Sequence, residues 1–109
     1  MTILVSVIQD ELDRNLRAQA AYRKELSQYP QGSLVFKNRK SIRYVYLAYR
    51  DKNNQVRTDY IGKESSPKVK QLQQQIMKRK EIVLLLKRME KDELQMRKML
   101  KKYGESSKG

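Results

Sequence analysis

The chain has 109 residues, of which 39% are hydrophobic, and its 25 Lys and Arg exceed its 12 Asp and Glu by a net charge of +13. This length fits one small domain and excludes a three-layer enzyme core of ordinary size. The absence of cysteine excludes disulfides and thiolate metal sites, so we expect a cytoplasmic protein.

The positive charge is unevenly distributed along the chain. Residues 1–32 hold four basic and four acidic side chains, residues 33–63 hold eight against two, and residues 64–109 hold thirteen against six. The basic character therefore belongs to the middle and the end of the chain, which predicts an acidic partner for those parts.

The first predicted element is a helix over residues 2–29, ended by Pro30 and Gly32. Its seam residues recur at alternating spacings of four and three: Ile8, Leu12, Asn15, Gln19, Tyr22, Leu26 and Tyr29. The apolar residues at positions 3–8 lie on most sides of the helix, so one partner helix cannot cover them all. We therefore expect a contact with a second copy there. This stretch is too short for a membrane span and lacks the basic region of a signal peptide.

Residues 33–63 are the only β-rich part of the sequence and predict a three-stranded meander. Asn38-Arg39 and the stretch Asp51-Lys52-Asn53-Asn54 are the predicted turns, each with an even number of residues. Even loops would place an apolar set on one face: Leu34, Phe36, Val45, Leu47, Tyr49, Val56, Thr58 and Tyr60. The other face would carry Val35, Lys37, Ile42, Tyr44, Tyr46, Arg50, Arg57, Ile61 and Lys63, with Asp59 as its only acid.

The last predicted element is a helix over residues 66–103. Ser66 suits the N-cap, Pro67 the first helical position and Gly104 the C-terminal stop. The apolar stripe contains Val69, Leu72, Ile76, Val83 and Leu86, and continues with Ile82, Met89, Met96, Leu100 and Tyr103. Residues 105–109 are predicted to be a disordered tail.

Together these elements predict an α+β fold, in which a three-stranded antiparallel sheet is inserted between two long antiparallel, coiled-coil-like helices. We predict a single domain over residues 1–104. The second helix is longer than the first, so its apolar end should project. With the apolar start of the first helix, this end favours a homodimer.

No enzyme signature is present, and we expect no catalytic, cofactor or metal site. The chain has no histidine or cysteine to act as base, nucleophile or metal ligand. Its four glycines are isolated, which excludes the glycine-rich phosphate loops. Asp51 and Asp59 lie near several arginines, so an ion pair is the expected role of each.

Basic residues interleaved with tyrosines are typical of nucleic-acid binding, because cations neutralise phosphates and tyrosine rings stack on bases. The predicted partner is DNA or RNA, and no membrane. The alternative is a protein-binding regulator, such as an antitoxin, an anti-CRISPR or another counter-defence inhibitor, whose basic face covers an acidic or nucleic-acid-binding surface of a larger protein. The candidate binding residues are Lys37, Arg39, Lys40, Tyr44, Tyr46, Arg50, Arg57, Lys63, Lys68, Lys70, Lys78, Arg79 and Lys80.

The strand Tyr44-Val45-Tyr46-Leu47-Ala48-Tyr49-Arg50 and the sequence Tyr60-Ile61-Gly62-Lys63 before a long helix resemble small uncharacterised bacterial proteins of mobile and defence elements. The architecture of three antiparallel strands followed by a helix also resembles the arm-binding domain of tyrosine recombinases, in which a sheet reads the DNA major groove. The second likeness is one of architecture only, and together these resemblances imply an element-borne regulator, an antitoxin or a counter-defence protein.

Overall fold

The computed structural model describes residues 3–106. It contains, in chain order, α1 (Ile3–Leu26), β1 (Ser33–Arg39), β2 (Ile42–Arg50), β3 (Val56–Lys63) and α2 (Pro67–Ser106). The strands form one antiparallel sheet in the order β1-β2-β3, and the two helices pack against each other in antiparallel orientation. The predicted α+β fold is confirmed. Within the described residues, no helix has both the length and the apolar composition needed to cross a membrane.

The chain divides into two compact units. The helical unit comprises α1 and the part of α2 from Ile82 onward. The sheet unit comprises Gln28–Glu81, and thus the whole sheet and the start of α2.

Both predicted helices exist, and their ends differ from the prediction in two places. α1 ends at Leu26 rather than Tyr29, where the Ser27 hydroxyl donates to the Lys24 carbonyl at 2.6 Å. α2 continues through Gly104 to Ser106, so Gly104 does not end the helix. Glu105 and Ser106 of the predicted tail are helical, and the rest of that tail lies outside the described residues.

The start of α2 is fixed as predicted, by a capping serine followed by proline. The Ser66 hydroxyl accepts a hydrogen bond from the Val69 amide at 3.3 Å, which satisfies one of the free donors of the first turn. Pro67 is the first helical residue, where its missing N–H costs nothing.

The first turn of α2 packs against the end of β3 in the sheet unit. A Cβ added at Gly62 would lie 2.9 Å from Ser66 Oγ and 3.7 Å from Val69 Cγ2. Glycine is therefore needed at position 62 for the helix to approach the strand. Gly62 pairs with Val45, and both Val45 and Val69 are fully buried, so the core of the sheet unit lies on this side of the sheet.

The helical unit has an apolar core with a polar segment in the middle of α1. Ile8, Leu12, Ile82 and Leu86 are buried, as the two predicted stripes require. Gln19 is only 1% exposed, and it is fully hydrogen-bonded. Its amide donates to Asn15 Oδ1 at 2.6 Å and to Glu93 Oε1 at 2.9 Å, while its oxygen accepts from Arg23 at 2.8 Å.

This network joins the two helices at defined positions. The Asn15 amide also donates to the Met89 carbonyl at 3.0 Å, and Arg23 forms an ion pair with Glu90 at 3.2 Å. A buried polar group that loses its partners is costly, so a shift of one helix along the other would be unfavourable. The network accordingly fixes the helix register, which the apolar residues alone would specify weakly.

Candidate functional site

The hairpin between β1 and β2 has a two-residue turn at Lys40-Ser41, not at the predicted Asn38-Arg39. Lys40 and Ser41 have φ values of 49° and 68°, which is the pattern of a type I′ turn. Arg39 pairs with Ile42 across this turn. Because the loop length is still even, the predicted face partition of β1 and β2 is confirmed. Lys40 lies exposed at the tip of the turn.

The connection between β2 and β3 is a five-residue loop, Asp51 to Gln55, since Arg50 pairs with Val56. One Asp51 oxygen accepts the amides of Asn53 at 2.9 Å and Gln55 at 3.0 Å. Two backbone bonds also hold the loop closed: the Asp51 amide donates to the Gln55 carbonyl at 2.9 Å, and the Asn54 amide donates to the Asp51 carbonyl at 3.0 Å. The predicted even-length loop was wrong, and an odd length exchanges the two faces of the following strand.

Arg57 therefore lies on the opposite face from the one predicted. It pairs with Tyr49, and its Nε donates to the second Asp51 oxygen at 2.8 Å. Arg57 and the two loop amides hold the pKa of Asp51 below its usual range. The expected ion pair of Asp51 is confirmed, and the Arg57 guanidinium is engaged in stabilising the loop.

Asp59 is exchanged to the same face as Arg57. It pairs with Leu47, and a hydrogen bond from the Tyr49 hydroxyl to its carboxylate raises the pKa of Tyr49. We call this side of the sheet, which also carries the buried Val45, the packed face. Its residues are Leu34, Phe36, Asn38, Arg43, Val45, Leu47, Tyr49, Arg57, Asp59 and Gly62.

The other side of the sheet, the tyrosine face, receives Tyr60 in place of Arg57. Tyr60 pairs with Tyr46, whereas the sequence placed it on the apolar face. A register shift between Val45 and Tyr46 then brings Lys63 opposite Tyr44, which leaves Lys63 on the predicted face. The residues of the tyrosine face are Ser33, Val35, Lys37, Arg39, Ile42, Tyr44, Tyr46, Ala48, Arg50, Val56, Thr58, Tyr60 and Lys63.

No acidic residue belongs to the tyrosine face as the strand register defines it. Its cations are Lys37, Arg39, Arg50 and Lys63, and each is exposed. Arg50 donates to the Asn54 carbonyl at 2.9 Å, a bond that leaves its charge uncompensated. Among the described residues, none of these four cations forms an ion pair.

Three tyrosine rings form a cluster on this face. The Tyr46 and Tyr60 rings meet edge to face with centroids 5.4 Å apart, and the Tyr44 and Tyr60 rings are tilted with centroids 6.2 Å apart. Tyr60 is the common member and remains 54% exposed, while Tyr44 and Tyr46 are half-buried. Together with Arg39 the three rings line a shallow pocket of about 270 Å³.

Lys37 lies over the Tyr46 ring, with Nζ 4.8 Å from the ring centroid. This cation–π contact covers part of the ring, and the edge contact with Tyr60 covers more of it. Tyr46 thus positions its two neighbours, and Tyr60 offers the most open ring of the three.

A second cleft, of about 660 Å³, begins where β3 enters α2. Its lining residues are Ser41, Ile42, Arg43, Lys63, Glu64, Ser65 and Lys70. Arg43 is neutralised by Glu64, since Arg43 Nε and Glu64 Oε2 lie 3.3 Å apart. Lys63 and Lys70 form no ion pair with the described residues. Because Lys63 belongs both to this cleft and to the tyrosine face, the basic surface is continuous from the sheet to the helix.

The remaining candidate residues lie on α2 and are less closely connected to this surface. Lys68, Lys78 and Lys80 are exposed, and none of them lines the cleft. Arg79 is half-buried and donates to the Tyr29 carbonyl at 3.3 Å, so it has a structural role. Within residues 3–106, no group of three His, Cys, Asp or Glu side chains is placed to hold a metal ion.

The chain has no match among protein-family models, curated proteins or solved structures. Its function must therefore be inferred from the geometry of the site. That site is a basic sheet face with three clustered tyrosines, continuous with a basic cleft at the start of α2.

Proposed function

We propose that the chain is a non-enzymatic nucleic-acid-binding protein that uses the tyrosine face and the adjoining cleft at the start of α2. The observation that carries this proposal is the charge of the face: four cations and three tyrosines, with no acid among them. A surface that served only to keep the protein soluble would carry both positive and negative side chains. Such a uniformly positive surface attracts polyanions, and the affinity of the resulting complex falls as the salt concentration rises.

The cations and rings are also arranged so that they can contact both the phosphates and the bases of a nucleic acid. Lys63 and Lys70 border one cleft, so a phosphate chain that follows it would pass from the sheet to the helix. Arg39 and Tyr60 line the pocket beside it. Cations that contact phosphates position a nucleic acid, while rings contact its bases or sugars.

The test of this proposal is to photocrosslink the bound nucleic acid and locate the modified tyrosines. We expect crosslinks at Tyr44 and Tyr60. Tyr49 is an internal control, since it lies on the packed face of the same sheet and is hydrogen-bonded to Asp59.

We further propose that the protein forms a homodimer through the start of α1. Ile3, Leu4 and Val7 are 85%, 48% and 51% exposed. Ile3 and Val7 lie on one side of the helix, and Leu4 lies between them and the row of the buried Ile8 and Leu12, so the exposed apolar surface borders the core-facing side. A second copy would remove this apolar surface from water at about 25 cal/mol per Å².

Sedimentation at tens of micromolar is expected to show a dimer. Replacing Leu4 and Val7 by glutamine should convert it to a monomer with an unchanged helical circular dichroism spectrum. The matched control replaces the exposed polar residues Gln9 and Asp13 of the same helix by alanine, and the dimer should persist. A wild-type monomer at this concentration would contradict the proposal.

A further inference from the structure

We infer that the tyrosine face binds single-stranded nucleic acid, with one unpaired base stacked on Tyr60 in the pocket formed with Arg39, Tyr44 and Tyr46. This inference rests on the proposed function and names its substrate class. Duplex DNA or RNA would use the same cations but not the same rings.

The accessibility of the rings is the first argument. In a duplex each base is covered on both faces by its neighbours, so protein rings can stack only on bases that are unpaired. Tyr60 is 54% exposed on an edge strand of the sheet, where a single strand can approach. Its contacts with Tyr44 and Tyr46 hold the ring in a fixed orientation, which lowers the entropic cost of stacking.

The size of the pocket is the second argument. At about 270 Å³ it lies just below the range of roughly 300 to 1,000 Å³ that drug-sized ligands occupy. The pocket is shallow, and its lining of three rings and one guanidinium suits the stacking of one planar heterocycle. Arg39 on the pocket wall can stack on that base or contact its phosphate.

The cations around the pocket supply the third argument. Lys37 is held at the Tyr46 ring, and Lys63 lies opposite Tyr44. The pocket thus has a positive charge on β1 and another on β3, one on each side of the central strand. A flexible single strand can cross the sheet between them and place its phosphates near both charges, with a base between them.

A tyrosine can instead bind a duplex through its hydroxyl, by donating to a phosphate. The two uses are separated by substitution at Tyr60. Tyr60→Phe keeps the ring and removes the hydroxyl, whereas Tyr60→Leu removes the ring and keeps an apolar side chain.

The experiment is an anisotropy titration with a labelled mixed-sequence 12-mer, as single-stranded DNA, as single-stranded RNA and as the matching DNA and RNA duplexes. We expect the wild type to bind at least one of the single strands at least tenfold more tightly than the matching duplex. For that single strand, Tyr60→Leu should weaken binding about 5- to 150-fold and Tyr60→Phe less than threefold. Tyr103→Leu, at an exposed tyrosine of α2, is the matched control and should leave the affinity unchanged.

Intrinsic fluorescence gives a second readout. The chain has seven tyrosines and no tryptophan, so its emission reports tyrosine alone. Stacking should quench the emission of the wild type, and Tyr60→Leu, which lacks this ring and binds more weakly, should be quenched less at the same oligonucleotide concentration.

The outcomes separate this inference from the proposed function. If the wild type binds a duplex as tightly as the matching strand, or if Tyr60→Phe loses as much affinity as Tyr60→Leu, the single-strand inference is wrong and nucleic-acid binding stands. If the wild type binds none of these oligonucleotides at low salt, the proposed function itself is wrong.

Discussion

Replacing Lys37, Arg39 and Lys63 together by glutamine should weaken binding to a single-stranded oligonucleotide about 50-fold near 0.15 M salt. Each lost phosphate contact with a single strand lowers the slope of log K against log salt by about 0.7 and the affinity by about fourfold. For the triple variant, the salt dependence should accordingly be less steep, with the magnitude of the slope smaller by about 2. Titrations of the wild type and the variant at several salt concentrations measure both quantities.

The control for this variant removes the same charge elsewhere. Lys87→Gln, Lys91→Gln and Lys98→Gln alter three exposed lysines of α2 in the helical unit. Both triple variants lower the formal net charge from +13 to +10, so they differ only in where the charge is lost. We expect the control to lose less than fivefold. Equal losses in the two variants would show that net charge, not the tyrosine face, attracts the nucleic acid.

Gly32→Ala should destabilise the sheet by about 3 kcal/mol and lower its melting temperature by more than about 10 °C. Gly32 has φ +128°, a conformation that residues with a Cβ rarely adopt. A Cβ added there would collide with the Ala48 carbonyl oxygen and would lie 3.1 Å from Leu47 Cδ1. Both neighbours belong to the central strand, which cannot move away without breaking its pairing with β1.

Gly104→Ala is the control and should not destabilise the protein. Gly104 lies within α2, and nothing lies within 4 Å of a Cβ added there. Alanine in a helix is favoured over glycine by at most about 1 kcal/mol, so the substitution should be neutral or slightly stabilising. Thermal unfolding followed by circular dichroism compares the two variants. A Gly32→Ala protein that melts with the wild type would contradict the close approach of Gly32 to β2.

The features of this fold that depend on residues close together in the sequence could be predicted. Ser66 and Pro67 determine the start of α2 through bonds within one turn, and the spacing of the apolar residues indicates both helices. The polar positions Asn15 and Gln19 were visible in the seam of α1. Their partners Met89 and Glu93 were not, because those contacts span 74 residues of sequence.

The face of β3 could not be predicted, because it depends on the parity of one loop. A side chain, Asp51, closes the five-residue loop by accepting two backbone amides, and no residue pattern alone distinguishes this from a four-residue turn. Tyr60 was consequently assigned to the apolar face. Asp51, Asn53 and Asn54 do indicate a turn, because such side chains hydrogen-bond to nearby backbone groups, but they do not determine its length.

On the tyrosine face, Tyr60 takes the place that the sequence assigned to Arg57 and Asp59, and this exchange removes the acid from the candidate site. The predicted face had an acid, and the tyrosine face has none. The face loses one cation that is already paired with Asp51 and gains the most exposed ring of the cluster. Lys63 keeps its place only because the register shift adds one residue to β3.

Photocrosslinking tests most directly whether the tyrosine face binds nucleic acid. The protein is saturated with a single-stranded 12-mer at low salt, irradiated and digested, and the crosslinked peptides are identified by mass spectrometry. Crosslinks at Tyr44 and Tyr60, absent from Tyr49 and suppressed by excess unlabelled strand, are the predicted result. Crosslinks at Tyr49, or only at Tyr22 and Tyr103 of the helical unit, would contradict it.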